Sequence, residues 1–510
     1  MGQNSSPVTR PYASEDIVSV PIVTAEGNRY QFSIDPGTQR WLILRPETLA
    51  VLTLANGRKT VPTIAEAALA MCPEFGSRET IVKLIEELLA HQLLFPDKAQ
   101  HRVASTPIYN ACEPVGVHIE ITNACNMTCT HCYVASGSAL PNEMTWEEIR
   151  TAIDMLPPFS GKQVAISGGE PIVRKGCMEF IEYCAVDCGH HVDLYTNGRK
   201  FPRKFAKQIQ SINQQQLGKV RVQVSLEGAT APTNDIVRGP GSFDDALASL
   251  RMFKEVGLGQ DLVVFVCLTK SNIQEVDDLI RLCESLDVGM LVFSQWQRQG
   301  NAKDIPWSSI APSTKQWVDT GLKLLNYSNP RLRVFGNFYG DLRNNEAGRL
   351  CLESPMFPKH VYFYNAFPRI TPQGDIFADQ LWVSKDWILG NIRRGDDLDG
   401  CFRKARFFAQ LEAMEGRVSN IVECDSCCWR DLCGAGSAGH TFAEHGHMNA
   451  KDQFCESRIW WFEKYVRDRA QRALGQTVWP EFQNWSRLGR GSSQGREMGA
   501  TSELTEPQIA

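Results

Sequence analysis

Apolar residues of the first hundred positions follow strand and helix periods that predict a small separate domain. Residues 17–97 begin with two apolar stretches around the turn Glu26-Gly27-Asn28, followed by a third at QRWLIL. Three helical patterns come next, over 47–54, 61–71 and 78–90. Apolar residues of the last pattern recur three and four positions apart, which places them on one helix face. We therefore predict a winged-helix-like α+β domain over 17–97, followed by a linker over 98–114.

The middle of the chain alternates apolar strands with amphipathic helices. Residues 115–328 contain six strand patterns: VGVHIEIT, QVAIS, HVDLYT, VRVQVSL, DLVVFVCL and VGMLVFS. Alternation of this kind is typical of an α/β fold with parallel strands. Because six units are fewer than the eight of a closed barrel, we predict a partial (β/α)6 barrel. Catalytic residues of such barrels lie at the carboxyl ends of the strands.

The pattern weakens in the last third of the chain. Residues 330–470 are irregular and rich in cysteine and aromatic residues, which predicts a separate C-terminal domain. The polar residues 475–510 predict a disordered tail.

Charge and composition exclude several classes of protein. The 510 residues include 53 basic and 58 acidic residues, with a net charge of −5, so a strongly basic nucleic-acid surface is not expected. No apolar run reaches the roughly eighteen residues of a membrane span, and the N-terminus lacks an apolar signal core. We expect a cytoplasmic protein without membrane contact. Its 17 cysteines then favour metal or iron–sulfur ligation over disulfides.

Three of these cysteines lie together after the first barrel strand. Cys125, Cys129 and Cys132 occupy one short segment, and Tyr133 follows directly. Three thiolates on one loop can hold three irons of a 4Fe–4S cluster and leave the fourth iron open. The alternative is a zinc site that includes His131, because zinc prefers a closed tetrahedron of thiolate and imidazole ligands.

The Cys-x3-Cys-x2-Cys spacing resembles the hallmark of the radical S-adenosylmethionine (radical SAM) superfamily. Ser167-Gly168-Gly169-Glu170-Pro171, at the end of the second strand, is similar to the segment of that family that binds the SAM amino group. Further similar segments are Thr196-Asn197-Gly198, Ser225-Leu226-Glu227-Gly228 and Asn234-Asp235 with Arg238-Gly239, where Asn234 replaces the usual histidine.

The resemblance implies both a site and a chemistry. Cys125, Cys129 and Cys132 would be the catalytic ligands of the cluster, and SAM would chelate the open iron and yield a deoxyadenosyl radical. Ser225 and Glu227 would hold the SAM ribose, and Arg238 the SAM carboxylate. The full set of implied SAM-binding residues is Tyr133, Gly168, Gly169, Glu170, Asn197, Ser225, Glu227 and Arg238.

A second cysteine group resembles the SPASM extension of radical SAM enzymes. Cys424, Cys427, Cys433 and Cys455 match the four ligands of its second auxiliary 4Fe–4S cluster. A zinc ribbon with the same four thiolates is the alternative.

The ligands of the first auxiliary cluster depart from the pattern of that extension. Asp379 and Ser437 stand where the family has cysteines. Cys351 is the best match to the leading cysteine, but its distance from Gly374 is longer than the family pattern allows. Because oxygen ligands hold iron–sulfur clusters less well than thiolates, we predict that the first auxiliary cluster is absent. Ligation by Asp379 is the minority alternative.

The N-terminal domain resembles the peptide-binding modules related to the pyrroloquinoline-quinone precursor-peptide chaperone. The resemblance rests on Gln39–Leu44, Val51–Gly57, Thr60–Ala65 and Leu88–Leu94. It implies that the edge of the third strand pairs with an extended leader peptide. A DNA-binding winged helix is the alternative, but the third helix carries Glu79, Glu86 and Glu87 rather than a basic face.

Together these segments predict a radical SAM oxidoreductase that modifies a ribosomally made peptide after leader recognition. The product would be a thioether, carbon–carbon or ether cross-link, or another modification, and the electrons would come from a flavodoxin or ferredoxin. One alternative is radical oxidation of a protein subunit or a porphyrin-like molecule. Another is a non-enzymatic peptide-binding scaffold, which the complete SAM motifs disfavour.

Overall fold

A computed structural model gives the fold for most of the chain. It describes residues 9–38, 40–105, 116–158, 160–215, 219–336, 367–378, 380–382 and 384–488. Cys112, Cys351 and Asp379 lie outside the described residues. No helix within the described ranges is long and apolar enough to cross a membrane.

The N-terminal domain consists of a three-stranded antiparallel meander followed by helices. Its strands are β1 (Val18–Thr24), β2 (Arg29–Ile34) and β3 (Trp41–Leu44). Its helices are α1 (Thr48–Leu54), α2 (Val61–Met71) and α3 (Arg78–Ala90). The Ser77 hydroxyl begins α3 by accepting a hydrogen bond from the Thr80 amide. The structure thus contains the three strands and three helices that the sequence pattern predicts.

Two segments flanking this domain differ from the sequence-based prediction. The predicted linker begins as helix α4 (Lys98–Ser105), and His101 Nε2 lies 2.8 Å from Asp35 Oδ2 of the N-terminal domain. The predicted disorder is wrong for residues 478–487, where β14 (Val478–Pro480) and β15 (Ser486–Arg487) pair antiparallel with β1. An unpaired strand edge offers backbone donors and acceptors, so even a polar segment gains ladder bonds there.

The middle of the chain forms the predicted parallel strands. They are β4 (Gly116–Thr122), β5 (Gln163–Gly168), β6 (His191–Thr196), β7 (Val220–Ser225), β8 (Leu262–Leu268) and β9 (Met290–Gln295). Neighbouring strands pair in parallel from β4 to β9. The connecting helices are α5 (Trp146–Asp154), α6 (Cys177–Glu182), α7 (Arg203–Gln215), α8 (Ala231–Arg238), α9 (Ser242–Glu255) and α10 (Val276–Ser285).

The sheet extends beyond the six predicted strands at both ends. After α11 (Trp307–Ile310) and α12 (Thr314–Asn326), strand β10 (Arg333–Gly336) pairs in parallel with β9. At the other end, β11 (Arg369–Ile370) pairs with β4, and β12 (Asp375–Phe377) and β13 (Gly390–Asn391) continue the sheet. The barrel sheet therefore has ten strands in the described residues, and four of them, β10 to β13, lie within the range predicted for the C-terminal domain.

The rest of the C-terminal domain is built from short helices and one long one. They are α13 (Leu398–Arg403), α14 (Ala405–Gly416), α15 (Val422–Asp425), α16 (Arg430–Cys433), α17 (Ala438–His445) and α18 (Cys455–Leu474). Gly475, in the left-handed region at φ 66°, ends α18 and lets the chain turn back toward β1.

Both sides of strand β4 are buried, and one is apolar while the other is polar. Val117, Ile119 and Ile121 are 0% exposed and join the apolar core. The alternate residues His118, Glu120 and Thr122 are also buried, although they are polar. Because successive strand residues point to opposite sides, β4 presents an apolar row to one side of the sheet and a buried polar row to the other.

Candidate active site

The first cysteine group lies on the loop that follows β4, residues 123–137, which we name the cluster loop. Backbone hydrogen bonds close it, from Cys125 N to Gly137 O (2.8 Å) and from Gly137 N to Asn123 O (3.0 Å). All three thiols on this loop, those of Cys125, Cys129 and Cys132, are half-buried. Burial raises the pKa of Cys125 to about 11 and also raises that of Cys129. A bound iron would remove these protons, and three soft donors on one loop fit an iron–sulfur cluster.

The two glycines at the end of β5 allow this strand to meet the cluster loop. A Cβ on Gly168 would lie 2.1 Å from Thr122 O, and one on Gly169 would lie 2.2 Å from Ala124 O. The gap is closed by hydrogen bonds from Gly169 N to Thr122 O (2.7 Å) and from Glu170 N to Ala124 O (2.8 Å). The glycines are therefore needed for backbone contact within the protein itself.

Glu170 joins the next strand to the same place. Its carboxylate is fully buried and accepts hydrogen bonds from Thr196 Oγ1 (2.8 Å) and Asn197 N (2.7 Å). Burial raises the pKa of Glu170 to about 7, although these hydrogen bonds act in the opposite direction. Asn197 Nδ2 donates to Asn126 Oδ1 (2.8 Å), so the end of β6 contacts the cluster loop.

Glu227 and Arg238 meet beside the cluster loop and pair with each other. Ser225 ends β7, Glu227 follows it, and Arg238 ends α8. Arg238 Nη1 donates to Glu227 Oε1 at 3.2 Å. Burial opposes the charge of Arg238, but the neighbouring Cys129 and Glu227 outweigh burial and raise the pKa of the guanidinium. The arginine thus remains a cation next to the cluster ligands.

Tyr133 belongs to a buried network that sequence reasoning missed. Its hydroxyl donates to Glu120 Oε1 (3.3 Å), and Arg369 contacts both oxygens of the same carboxylate. The Arg369 guanidinium also lies 5.9 Å from the centre of the Tyr133 ring. The sequence signal for this network is Glu120, a charged residue within the apolar strand VGVHIEIT. Its partner Arg369 lies 249 residues further along the chain.

The loop after β9 supports the cluster loop from another side, which sequence reasoning also missed. Trp296 Nε1 donates to His131 O (3.4 Å), and Asn301 donates through its backbone to Cys132 O and through its side chain to Cys129 O, both at 2.9 Å. A Cβ on Gly300 would lie 2.2 Å from Cys132 O. These contacts hold the carbonyl groups of the cluster loop in place.

The second cysteine group comes together in the C-terminal domain. Cys427 N donates to Cys424 O (3.2 Å), which closes the turn between these two residues. Burial, followed by the nearby Cys433 thiol, raises the pKa of Cys424 to about 11 and that of Cys455 to about 12. The pKa of Cys427 is raised in the same way, first by burial and then by the thiols of Cys433, Cys455 and Cys424. The Cys427 thiol thus interacts with each of the other three, and four thiols arranged in this way are a donor set that fits an auxiliary cluster.

Two side chains beside this group show how the cysteines are held. Arg458 Nη1 lies 3.6 Å from Cys433 Sγ, while its Nη2 donates to Asp452 Oδ1 (2.7 Å). The Ser437 hydroxyl begins α17 by accepting from His440 N (3.2 Å). The serine that replaces a family cysteine is therefore used as a helix cap.

Comparison with known proteins agrees with this geometry. Residues 119–283 match the Radical SAM superfamily. The chain is 26% identical over 344 residues to the mycofactocin maturase MftC of Mycobacterium tuberculosis, which covers 67% of this chain and 83% of that protein. It is also 26% identical to the Fe-coproporphyrin III synthase of Methanosarcina barkeri, over 66% of this chain and 86% of that protein.

This chain contains a radical SAM domain. Two solved structures share the fold of the enzyme. The structure titled native anSMEcpe with bound AdoMet and Cp18Cys peptide has a TM-score of 0.54 and 17% identity, and covers 71% of this chain and 99% of that one. Streptococcus suis SuiB bound to precursor peptide SuiA has a TM-score of 0.52 and 14% identity, and covers 88% and 100%.

Proposed function

We propose that this radical SAM enzyme modifies a ribosomally made precursor peptide whose leader binds to the N-terminal domain. Two similar proteins point this way, since MftC is a maturase and SuiB was solved with a precursor peptide. When bound, the cluster and SAM supply radical hydrogen-atom abstraction from the substrate. The modification is a thioether, carbon–carbon or ether cross-link, or another change to the core peptide.

The observation that carries this proposal is the β3 edge of the N-terminal sheet. Strands β14 and β15 cover the β1 edge, while β3 pairs with β2 alone among the described residues. The first three residues of β3, Trp41, Leu42 and Ile43, are half-buried. An extended peptide can add to such an edge through backbone hydrogen bonds, and its side chains then reach the neighbouring apolar surface.

Binding at β3 is tested by Leu42→Pro and Ile43→Pro in the full chain. Along an antiparallel edge strand, backbone amides alternate between donating to the neighbouring strand and pointing away from the sheet. One of the two amides, that of Leu42 or that of Ile43, therefore faces the bound leader. We expect one variant to fold normally and to lose about tenfold in leader affinity, equivalent to about 1.4 kcal/mol. Unchanged leader affinity in the variant that folds normally and carries the outward-facing substitution would contradict this site.

In the barrel, the protein's own groups hold and orient the cofactors. Cys125, Cys129 and Cys132 would ligate the cluster. Asn197 and Arg238 lie against the cluster loop, where an amide and a buried cation suit the polar end of SAM. The remaining SAM contacts we propose are Tyr133, Gly168, Gly169, Glu170 and Ser225. A flavodoxin or ferredoxin would supply the electrons.

We further propose one auxiliary 4Fe–4S cluster on Cys424, Cys427, Cys433 and Cys455, and no first auxiliary cluster. The capping role of Ser437 supports the second part, because its hydroxyl is already used by α17. The reconstituted enzyme should contain about eight irons, and Cys455→Ser should contain about four. Cys401→Ser is the matched control, since Cys401 is buried in α13 outside both groups. About twelve irons would overturn the second part and favour Asp379 as a ligand.

The peptide substrate itself is tested by co-expression with short reading frames encoded nearby. We expect a mass decrease equal to two hydrogens for each cross-link. The similarity to Fe-coproporphyrin III synthase motivates a second candidate, oxidation of a porphyrin-like molecule. Incubation of the reduced enzyme with SAM and porphyrin-like molecules in place of a peptide separates the two, because a SAM-dependent mass change of such a molecule, without any peptide modification, would favour the second candidate.

A further inference from the structure

Glu227 has an unusually complete set of hydrogen-bond partners. The residue is 2% exposed. Oε1 accepts from His131 Nε2 (2.9 Å) and Arg238 Nη1 (3.2 Å), and Oε2 accepts from Cys267 N (3.0 Å). Its backbone is also held, since Glu227 N donates to Asn234 Oδ1 (2.8 Å) and Asn272 Nδ2 donates to Glu227 O (2.9 Å).

The three donors to the carboxylate belong to three different parts of the barrel. His131 lies on the cluster loop between Cys129 and Cys132, Arg238 ends α8, and Cys267 lies near the end of β8. One side chain therefore connects the cluster loop to the carboxyl ends of two barrel units. Trp296 Nε1 holds the backbone of the same histidine from the opposite side, through His131 O.

The arrangement leaves little capacity for a ligand at Glu227. An ionised carboxylate offers about four lone-pair sites, and three of them are used here. His131 Nε2, a Glu227 oxygen and Cys267 Sγ also lie within 4.8 Å of one another, as they would around a metal ion. However, the Arg238 cation already binds this carboxylate, so hydrogen bonding accounts for the group without a metal.

We propose that Glu227 is a positioning residue of the first cluster site, which acts through His131 and Arg238 instead of by contact with the SAM ribose. The carboxylate fixes the imidazole, and the imidazole fixes the loop segment between the second and third cluster ligands. The same carboxylate orients the guanidinium toward Cys129, whose charge raises the pKa of Arg238. Charge-assisted bonds in a buried site are strong enough for this role.

A double-mutant cycle between Glu227→Gln and His131→Phe tests the proposal. Each single variant should weaken SAM binding to the reconstituted protein at least about tenfold and change the electron paramagnetic resonance spectrum of the reduced, SAM-bound cluster. The double variant should resemble the single variants, because both remove the same contact. Glu227→Asp should restore part of the SAM affinity if its shorter carboxylate still reaches His131.

Glu275→Gln is the matched control. This carboxylate accepts from Ala229 N (2.7 Å) and from Thr233 Oγ1 in the first turn of α8, and none of its contacts given by the structure involve His131 or Arg238. It should leave the spectrum unchanged. Folding is followed through the auxiliary cluster, because a folded variant that loses only the first cluster keeps about four irons.

Two results would overturn the proposal. Additive effects of the two substitutions would show that Glu227 does not act through His131. Loss of discrimination in Glu227→Gln between SAM and an analogue without ribose hydroxyls would show direct ribose contact. None of these measurements needs a peptide, so their outcome is independent of whether the enzyme is a peptide maturase.

Discussion

Arg369 and Glu120 form a two-point ion pair between the first barrel strand and the C-terminal domain. The Nε–Oε1 distance is 2.7 Å and the Nη2–Oε2 distance is 3.0 Å, and the two side chains are 6% and 2% exposed. Arg369 also donates to Trp382 O (2.9 Å). Glu120 also accepts a hydrogen bond from the Tyr133 hydroxyl. One buried carboxylate therefore contacts both the C-terminal domain and the cluster loop.

Arg369→Met should destabilise the enzyme strongly. Removal of one partner leaves the Glu120 carboxylate buried without its cation, which typically costs about 3–5 kcal/mol. The double variant Glu120→Gln with Arg369→Met should lose less, because no uncompensated charge remains. Urea unfolding midpoints of the two variants measure this difference. A double variant as unstable as Arg369→Met would contradict the assigned pairing.

Gly169→Ala should displace the cluster loop. The added Cβ would lie 2.2 Å from Ala124 O and 2.6 Å from Asn123 O, and both are backbone atoms that cannot move independently. We expect loss of the first cluster and retention of the auxiliary one, measured as a fall from about eight to about four irons. Gly416→Ala is the control, because its Cβ would meet nothing within 4 Å. Equal iron content in the two variants would argue against the close approach.

Removal of residues 476–510 should destabilise the N-terminal domain. This truncation deletes β14 and β15 and leaves the β1 edge unpaired. It also deletes Arg487, whose Nη2 lies 2.5 Å from Asp431 Oδ2 on α16. We expect a lower thermal midpoint and concentration-dependent aggregation through the open edge, measured by light scattering. Removal of residues 489–510 alone should leave both properties unchanged, and equal behaviour of the two truncations would refute the role of β14 and β15.

His118 should make the enzyme sensitive to acid. Burial lowers the pKa of its imidazole to about 4, while Glu120 raises this pKa and Arg369 lowers it. The ring also contacts Ser167 Oγ (2.5 Å) and Tyr195. Because the folded pKa lies below the unfolded value, the unfolded chain binds the proton first, and stability falls as pH decreases from about 6.5 to about 4.

The His118 contribution amounts to about 3 kcal/mol at most. Unfolding midpoints of His118→Gln should therefore depend less on pH across this range than those of the unsubstituted enzyme. The exposed His191, substituted in the same way, serves as the control. If His118→Gln shows the full acid sensitivity, other groups are responsible.

Much of the barrel and the cysteine groups could be predicted from the sequence because their signals are local. Apolar strands such as QVAIS are short and are separated by amphipathic helices, and they occur where the pattern placed them. The ligands of each cysteine group are mostly a few residues apart, so a single loop or turn brings them together. The motifs after β5, β6 and β7 meet at one sheet edge because parallel strands end on the same side.

Other features could not be predicted because they depend on contacts between distant segments. The polar composition of residues 478–487 indicated disorder, but a strand also forms where a neighbouring edge lacks a partner. The motif that contains Glu227 predicts that this residue binds the SAM ribose. Its hydrogen bond with His131 joins two residues that are 96 positions apart, so no local motif could indicate it. A sequence pattern shows which residues are polar, but it does not show which hydrogen-bond donors their side chains pair with in the fold.

The sequence by itself determined the order of the elements, the two groups of cysteines and the radical SAM motifs of the barrel, because each rests mainly on spacing over short distances. Only the tertiary structure decided that the C-terminal segment closes the β1 edge, that Arg369 neutralises Glu120, and that Glu227 is held by three donors. These relationships require strand register and packing across as many as 249 residues. The free energy of each arises from burial, which no local pattern specifies.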